Sequence, residues 1–466
     1  MLRARDFPLV AAAVIAIYFA ALTGPGFGMQ FAPDDFQNLW RYWHSGPVAA
    51  VEANLLLVTN YYRPLGALFY LPLFHMFRFD PLPYRIVYHA LIWLNLFLLY
   101  RLARHVNRGG LAVGLAVLVG GFHAEAVGVY MSNSMIYEVL CFLFMVGATA
   151  YYIGVRRDGR PLNRRQLAIF TILFVCALNA KEMAVVTPAI LAVYELLYYH
   201  GWRRRPSDLI PLALAFAISA AYTLGKMSGA DSLAHIPTYE PAYTLDRFLL
   251  TLRTYAGQLL MRDEPPAAAA AISLWGILVA LAAVFRRKAM WFGLAFAFLA
   301  FLPLSFVPPR LAFVLYIPMV GFGIYLGELI GAVVDLAAAR FRTPPTYAVE
   351  AKAIVFVAGL TACAAIHSAR AQQRIGETAL AQQAHWKVLQ EFARVHPKAK
   401  PGGRLLIIGT PLDGEWDLYF IAGPYINDRS LKVAWVKSPG ETPHGEFRTD
   451  PDSIWRFDRN TLIQER

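Results

Sequence analysis

The stretch "FPLVAAAVIAIYFAALTGPGFGMQFAPDDFQNLW" (residues 7–40) leads from an unbroken apolar segment to two adjacent carboxylates, Asp34 and Asp35. The apolar part, from Phe7 to Leu22, is longer than the apolar region of most signal peptides and approaches the length of a membrane span. Many apolar segments follow it along the chain. The sequence therefore predicts an uncleaved first transmembrane helix, with both acids placed close to the bilayer surface.

The composition of the whole chain is that of an integral membrane protein. Of its 466 residues, 58% are hydrophobic and only 16% are charged, whereas soluble domains contain about 25% charged residues. The net charge of +12 comes from short basic clusters between apolar segments, which is typical of cytoplasmic loops and does not indicate a nucleic-acid partner. The three cysteines lie in apolar segments and form no disulfide or metal-binding pattern.

About eleven membrane spans are predicted, because a span needs about 20 apolar residues, or fewer inside a bundle. They lie near residues 7–24, 84–101, 111–129, 134–154, 167–180, 184–199, 208–225, 267–285, 289–306, 311–333 and 351–368. The spans at 167–180 and 184–199 are short and are separated by "ALNAKEM", so we expect both to dip toward a cavity. The apolar segment 63–77 is too short for a span and is predicted to be an interfacial or re-entrant helix.

The basic clusters assign a side of the membrane to each loop. They fall in alternate loops, which are cytoplasmic by the positive-inside rule, and they include residues 101–108, 156–165, 203–205, 286–288 and 340–342. The other loops are poor in Lys and Arg and hold most of the acids. Asp34 and Asp35 are therefore expected on the extracytoplasmic face.

The composition changes after residue 369. Residues 371–397 have the periodicity of an amphipathic helix, with Ile375, Leu380, Trp386, Leu389 and Phe392 on its apolar face, and "RLLIIGT", "LKVAWV" and "SIWRF" have the pattern of buried strands. We predict a transmembrane domain at 1–369 and a small α/β domain at 370–466. An odd number of spans places this C-terminal domain outside the cytoplasm.

Four polar groups lie on or near the predicted outer face, where ionisable residues at membrane depth indicate function by default. The Asp34–Asp35 pair is either a general base, with its pKa raised by the apolar surroundings, or a helix cap formed by Asp34. The segment "HAEAVGVYMSNSMIYE" contributes His123, Glu125, Tyr137 and Glu138, either as pocket residues or as a satisfied polar cluster.

The two other groups contain cations. Lys181 and Glu182 are either a structural ion pair or an anion site in which Glu182 orients the ligand. Arg310 and Arg63 are either snorkelling anchors or guanidinium groups that bind a phosphate at the bilayer surface. Taken together, the acids, the cations and the apolar surroundings fit a substrate with a phosphate on a lipid tail.

The outer loop at 226–247 is predicted to cover this site. His235, Tyr239 and Glu240 are its candidates for contact with an acceptor, and an ordinary solvated loop is the alternative.

The motifs "APDD", "HAEAV", "LNAKEMAVVTPAILAVYELL" and "RLAFVLYIPMVGFG" occur in this order, and over about residues 1–335 the chain resembles the GT-C superfamily of polytopic glycosyltransferases. It is most similar to the protein O-mannosyltransferases and to the membrane half of the transmembrane-and-TPR O-mannosyltransferases. The chain departs from them in lacking TPR repeats, and it has "MSNSM" where they carry Gly-Arg. Its compact form is closer to bacterial members that act in envelope glycan assembly.

The resemblance implies a GT-C fold and transfer of a sugar from a polyprenyl-phosphate donor to an extracytoplasmic glycan, lipid or protein, in the bacterial inner membrane. By the same resemblance Asp34 or Asp35 is the catalytic acid, His123 and Glu125 match one motif, and Lys181, Glu182 and Arg310 match the others. A direct inverting displacement needs no metal, but a divalent cation bound by the acids with His123 and Glu125 remains an alternative. The competing functions are a flippase or transporter, a ligase or polymerase for lipid-diphosphate-linked glycans, and an inactive scaffold.

Overall fold

The structure is a computed structural model that describes residues 7–56, 58, 61–157, 159–199, 206–228, 232, 235–237, 239–412 and 417–465. Within these residues the chain forms sixteen α-helices and five β-strands. The helices are α1 Phe7–Thr23, α2 Pro33–Leu55, α3 Ala67–Phe77, α4 Pro81–Val106, α5 Gly109–Gly120, α6 Gly128–Met131, α7 Ile136–Arg156, α8 Arg164–Ala180, α9 Thr187–Tyr198, α10 Ile210–Met227, α11 Leu245–Leu259, α12 Ala268–Phe285, α13 Lys288–Phe301, α14 Pro318–Arg340, α15 Pro345–Val395 and α16 Asp417–Ile426. The strands are β1 Arg404–Ile408, β2 Lys432–Val436, β3 His444–Gly445, β4 Ser453–Asp458 and β5 Thr461–Gln464.

Seven helices in the described part of the chain are long and apolar enough to cross a membrane, and the number rises to eight if the bent pair α5 and α6 is one span. The expected polytopic helical membrane protein is therefore confirmed, but the count of eleven spans is not. The helices at the predicted spans 167–180, 184–199 and 289–306 are short, and α9 has only 12 residues. The segment predicted to be interfacial forms a short turn followed by α3, which has 11 residues.

Small residues set the packing at the centre of the bundle. Helices α5 and α14 approach so closely that a Cβ atom on Gly323 would lie 2.4 Å from the carbonyl oxygen of Ala116. Small residues recur every four positions on both helices, as they do in closely packed membrane helices: Ala112, Ala116 and Gly120 on α5, and Gly323, Gly327 and Gly331 on α14. This close contact holds α5 and α14 together.

The last span continues without a break into the predicted amphipathic helix, so that α15 is one helix of 51 residues. Pro397 follows His396, which ends the helix in a left-handed conformation with φ 47°. The sequence boundary at 369/370 therefore lies inside a continuous helix.

The C-terminal domain contains the three predicted strands as β1, β2 and β4, and two short edge strands that the sequence did not indicate. The strand order is β3-β2-β1-β4-β5, with β1 parallel to β2 and β4 and both edge strands antiparallel. Its core contains Leu405, Ile407, Val433 and the fully buried Trp455, which packs against Phe392 of α15. Helix α16 docks on α2, where the indole N–H of Trp43 donates to Asn427 at 3.2 Å.

The close contact of α5 and α14 can be tested by Gly323→Ala. The added methyl group would collide with the backbone of α5, so we expect a loss of about 1–3 kcal/mol in the free energy of unfolding. Gly276→Ala in α12 is the matched control, because no atom lies within 4 Å of its added Cβ and alanine favours a helix over glycine. Thermal unfolding in detergent measures both, and equal melting temperatures for the two variants would contradict the packing argument.

Candidate active site

The two adjacent acids point in different directions from the first turn of α2. Pro33 is the first helical residue and Ala32 is the N-cap, so the interpretation of Asp34 as the N-cap is wrong. Instead Asp35 is buried, and its carboxylate accepts the Ala32 N–H at 2.7 Å and the Tyr70 hydroxyl at 2.8 Å. Asp34 is exposed and makes no hydrogen bond or ion pair with any described residue.

The surroundings raise the pKa of both carboxyls. Burial raises the pKa of Asp35 to about 6, although the nearby charge of Arg85 and the hydrogen bonds from Ala32 and Tyr70 lower it. For Asp34 the largest cause is loss of hydration, followed by the negative charges of Asp417 and Glu138. A carboxyl with a raised pKa is a better general base near neutral pH, and Asp34 is the one that is free to meet a substrate.

Two buried ion pairs lie close to these acids. Lys181 pairs with Glu138 of α7, and Arg63 pairs with Glu182 at 3.0 Å. Lys181 and Glu182, adjacent in sequence, therefore do not pair with each other. The chain is extended at Lys181, with φ −161° and ψ 146°, and each side chain has a partner from a different segment.

Arg63 places a positive charge next to the Glu182 carboxylate. Burial works against the charged form of Glu182, but the charge and hydrogen bonds of Arg63 and the charge of Lys181 outweigh it and lower its pKa. Glu182 is thus a carboxylate that neutralises Arg63, which fits an orienting role better than a proton-transfer role.

Aromatic residues connect these pairs to Arg310. The Tyr62 hydroxyl lies 3.3 Å from the Tyr239 hydroxyl, and an Nη of Arg63 donates to Tyr239 at 3.4 Å. The guanidinium of Arg310 stacks on the Tyr239 ring at 4.1 Å. Burial opposes ionisation of Tyr239, yet its pKa is lowered because Arg63 and Arg310 are close. Two guanidinium groups, those of Arg63 and Arg310, therefore lie next to the Tyr239 side chain.

Tyr137 belongs to the same cluster. Its hydroxyl lies 2.8 Å from the hydroxyl of Tyr42, and the Arg63 guanidinium lies over its ring at 5.0 Å. The structure thus brings together seven of the predicted site residues, which we call the outer cation cluster: Arg63, Tyr137, Glu138, Lys181, Glu182, Tyr239 and Arg310.

His123 and Glu125 make no hydrogen bond or ion pair with the outer cation cluster in the described part of the chain. His123 is buried, with its Nε2 3.1 Å from the Leu259 carbonyl. Glu125 is held by Arg370 and Arg374 of α15. After the bend between α5 and α6, this motif contacts α15 through Glu125 and through the ring of His123, which lies against that of His367. Their role as pocket residues remains a prediction.

The remaining loop candidates are exposed. His235 and Glu240 lie at the surface, whereas Tyr239 is partly buried in the cluster. Among the described residues no group of three His, Cys, Asp or Glu side chains is placed to hold a metal ion, so the possible divalent cation has no ligand set in that part of the chain.

Two further cations of the site, Arg41 and Lys226, were not predicted from the sequence. Arg41 stacks on Tyr62 at 4.3 Å, and it follows Asp34 by seven residues, two turns along the same face of α2. Lys226 is a lysine in the last turn of the apolar helix α10, and its ammonium donates to the Tyr61 carbonyl. Both could have been noticed as cations at membrane depth.

Comparison with known proteins identifies the fold. No protein-family model matches the chain, and no curated protein matches it. The Archaeoglobus fulgidus oligosaccharyltransferase AglB, solved with an inhibitory peptide and a dolichol-phosphate, matches at 12% identity and a TM-score of 0.51, covering 93% of this chain and 65% of AglB. Its apo form matches with the same values. ArnT from Cupriavidus metallidurans, solved with undecaprenyl phosphate, matches at 14% identity and a TM-score of 0.45, covering 92% of this chain and 86% of ArnT.

The chain therefore shares the fold of AglB, and the GT-C type fold that the sequence resemblance implied is confirmed. The chain is an integral membrane protein with a small C-terminal sheet domain, and it spans about two thirds of the length of AglB.

The raised pKa of Asp35 predicts a pH-dependent stability. Because the pKa of about 6 in the folded state exceeds the ordinary aspartate value of 3.8, the folded state binds the proton more tightly, and stability falls as the pH rises from about 4 to 6. Asp35→Asn removes this dependence and keeps an acceptor for Ala32. Between pH 4 and 6 the free energy of unfolding of the wild type should fall by up to about 3 kcal/mol relative to that of Asp35→Asn.

Melting temperatures at pH 4.5 and 7 measure this difference. Glu52→Gln is the control, since Glu52 is an exposed acid on the same helix, and it should follow the wild type. Equal pH dependence in the wild type and in Asp35→Asn would show that Asp35 is not the titrating group.

Proposed function

We propose that this chain is a membrane glycosyltransferase that moves a sugar from a polyprenyl-phosphate donor to an acceptor hydroxyl outside the cytoplasm. The observation that carries the proposal is the placement of Asp34, an exposed carboxylate with a raised pKa and no partner among the described residues, near a buried cluster of cations. The Asp34 carboxylate can act as a general base, and the cations can stabilise an anionic leaving group. The fold shared with AglB, which was solved with a dolichol-phosphate, supports a lipid phosphate as the anion.

In the proposed reaction Asp34 accepts the proton of the acceptor hydroxyl while the oxygen of that hydroxyl attacks C1 of the sugar. The bond between C1 and the phosphate oxygen breaks, and its electron pair leaves with the lipid phosphate. Attack on the face opposite the phosphate inverts the configuration at C1. Arg63, Lys181 and Arg310 bind the phosphate, and Glu138 and Glu182 hold two of these cations in position.

The orientation of α7 supports an extracytoplasmic site. Glu138 lies in its first turn, within the outer cation cluster, and Arg156 in its last turn begins a basic cluster. At 1.5 Å per residue, the helix separates them by about 27 Å, close to the thickness of about 30 Å of the apolar layer of a bilayer. With the basic end in the cytoplasm, the site faces outward, which is the periplasm if the host membrane is the bacterial inner membrane.

The chain divides, in this proposal, into a catalytic membrane domain at 1–369 and a C-terminal domain at 370–466 that covers α2. The acceptor enters beside the loop that contains His235, Tyr239 and Glu240. Mannose as the sugar, and the choice among glycan, lipid and protein acceptors, rest on the sequence resemblance alone.

The role of Asp34 predicts a large loss of transfer in Asp34→Asn. Loss of a general base lowers the rate about 10²–10⁴-fold, whereas Glu52→Gln, an exposed acid on the same helix, should keep wild-type transfer. Membranes containing each variant are assayed with undecaprenyl-phosphate hexoses and pentoses, with labelled sugar followed into product. Full transfer by Asp34→Asn with loss in Asp35→Asn would move the base to Asp35, and full transfer by both would disprove the mechanism.

The sugar and the acceptor follow from mass spectrometry of lipids and envelope glycans with and without the protein. We expect one hexose or pentose to be missing from a glycan and its lipid-phosphate form to accumulate. Movement of the donor across liposomes by purified protein with its sugar unaltered, and no missing residue in any glycan, would identify a transporter instead.

A further inference from the structure

The outer cation cluster and its neighbours contain more positive charge than the nearby acids neutralise. Arg63 and Lys181 each have a carboxylate partner. Arg41, Lys226 and Arg310 have none among the described residues. Buried or half-buried cations without a counter-ion are costly in an apolar environment, so this arrangement indicates an anion that is bound during function.

Two tyrosines bring three guanidinium groups together. The Tyr62 ring has Arg41 at 4.3 Å and Arg63 at 4.5 Å from its centroid. The Tyr239 ring has Arg310 at 4.1 Å from its centroid. The Tyr239 hydroxyl accepts from an Nη of Arg63 at 3.4 Å and lies 3.3 Å from the Tyr62 hydroxyl. Arg41, Arg63 and Arg310 therefore follow one another along a continuous line of contacts.

Arg41 has an unused hydrogen-bond donor. One of its Nη atoms is buried and makes no hydrogen bond within the described part of the chain. Its position on α2, two turns after Asp34, places it on the same face as the proposed base. A ligand that reaches Asp34 and Tyr62 would pass this side chain.

Lys226 approaches the cluster from α10. Only 4% of its surface is exposed, and its ammonium lies 5.4 Å from the centroid of the Tyr222 ring. Glu182 and Arg63 are near enough for their charges to act on it, but neither is an ion-pair partner. An ammonium has three donors, and its contact with the Tyr61 carbonyl uses one.

We propose that Arg41 and Lys226, together with Arg310, form the subsite that takes the charge of the departing lipid phosphate. The inference rests on the proposed function and names which cations do this work. A phosphodiester donor has one negative charge, and the phosphate monoester released from it has up to two. Cations without a carboxylate gain most from that increase, so they favour the leaving group over the bound donor. Arg63 and Lys181, already neutralised by Glu182 and Glu138, position the phosphate.

The test measures binding of undecaprenyl phosphate to the full chain in nanodiscs. We expect Arg41→Gln and Lys226→Gln each to raise its Kd about tenfold, because each removes one direct charge contact, and Arg41→Lys to restore part of the affinity. Binding of undecaprenol, which lacks the phosphate, should be unchanged. Arg247→Gln removes a half-exposed cation of α11 and should behave as the wild type.

Each result has a defined meaning when the variants melt at the wild-type temperature. An unchanged Kd for undecaprenyl phosphate in both variants overturns the subsite, whether or not the wild type shows transfer. An equal loss of undecaprenol binding shows that the two residues act on the fold or on the lipid tail, and also overturns it. If inorganic phosphate competes as well as the lipid, the site is one for free phosphate, and the lipid assignment falls.

Transfer by the wild type separates this inference from the proposed function. Loss of phosphate affinity in the two variants, with no transfer by the wild type toward any donor, would keep the subsite and remove the enzymatic assignment. Wild-type transfer with unchanged phosphate affinity in the variants would keep the enzymatic assignment and remove the subsite.

Discussion

Charge in an apolar environment is the constraint on which the outer end of this protein depends. A buried charge is tolerated when a partner and further hydrogen bonds meet it, and here each partner comes from a different part of the chain. Lys181 follows α8 and pairs with Glu138 of α7, while Glu182 reaches Arg63 in the segment before α3. These two pairs therefore connect three segments that the sequence separates by dozens of residues. Removing one member leaves its partner buried and unpaired, so the pairs fix the geometry of the site as well as its charge.

Most of the architecture could be read from the sequence, because spans and strands have strong local patterns. The apolar runs located α1, α4, α7, α10, α12 and α14, and the buried strands β1, β2 and β4 were found in place. The number of spans was harder, since short apolar helices inside a bundle have no fixed length. The junction of the last span with the amphipathic helix was also missed, because the polar change near residue 369 resembles a boundary although the backbone continues through it.

The residue types of the site could be predicted from the sequence, but the partner of each charged side chain could not. Ionisable residues in apolar segments drew attention to Arg63, Lys181, Glu182 and Arg310, and these do converge. Sequence adjacency was misleading for two pairs: Lys181 and Glu182 have separate partners, and Asp34 and Asp35 have opposite environments. His123 and Glu125 were grouped with the others by motif order, yet a bend of 47° between α5 and α6 directs them to α15. Such directions depend on tertiary contacts that no local pattern contains.

The length of α15 has a mechanical consequence. At 1.5 Å per residue its 51 residues extend about 75 Å, more than twice the apolar thickness of a bilayer. Because α15 is continuous, a tilt of its membrane-embedded part also tilts its outer part, which carries the sheet domain. That domain rests on α2 through Trp43 and Asn427, and Asp34 lies in the first turn of α2. Membrane thickness, which sets the tilt of long helices, thus bears mechanically on the position of the proposed base.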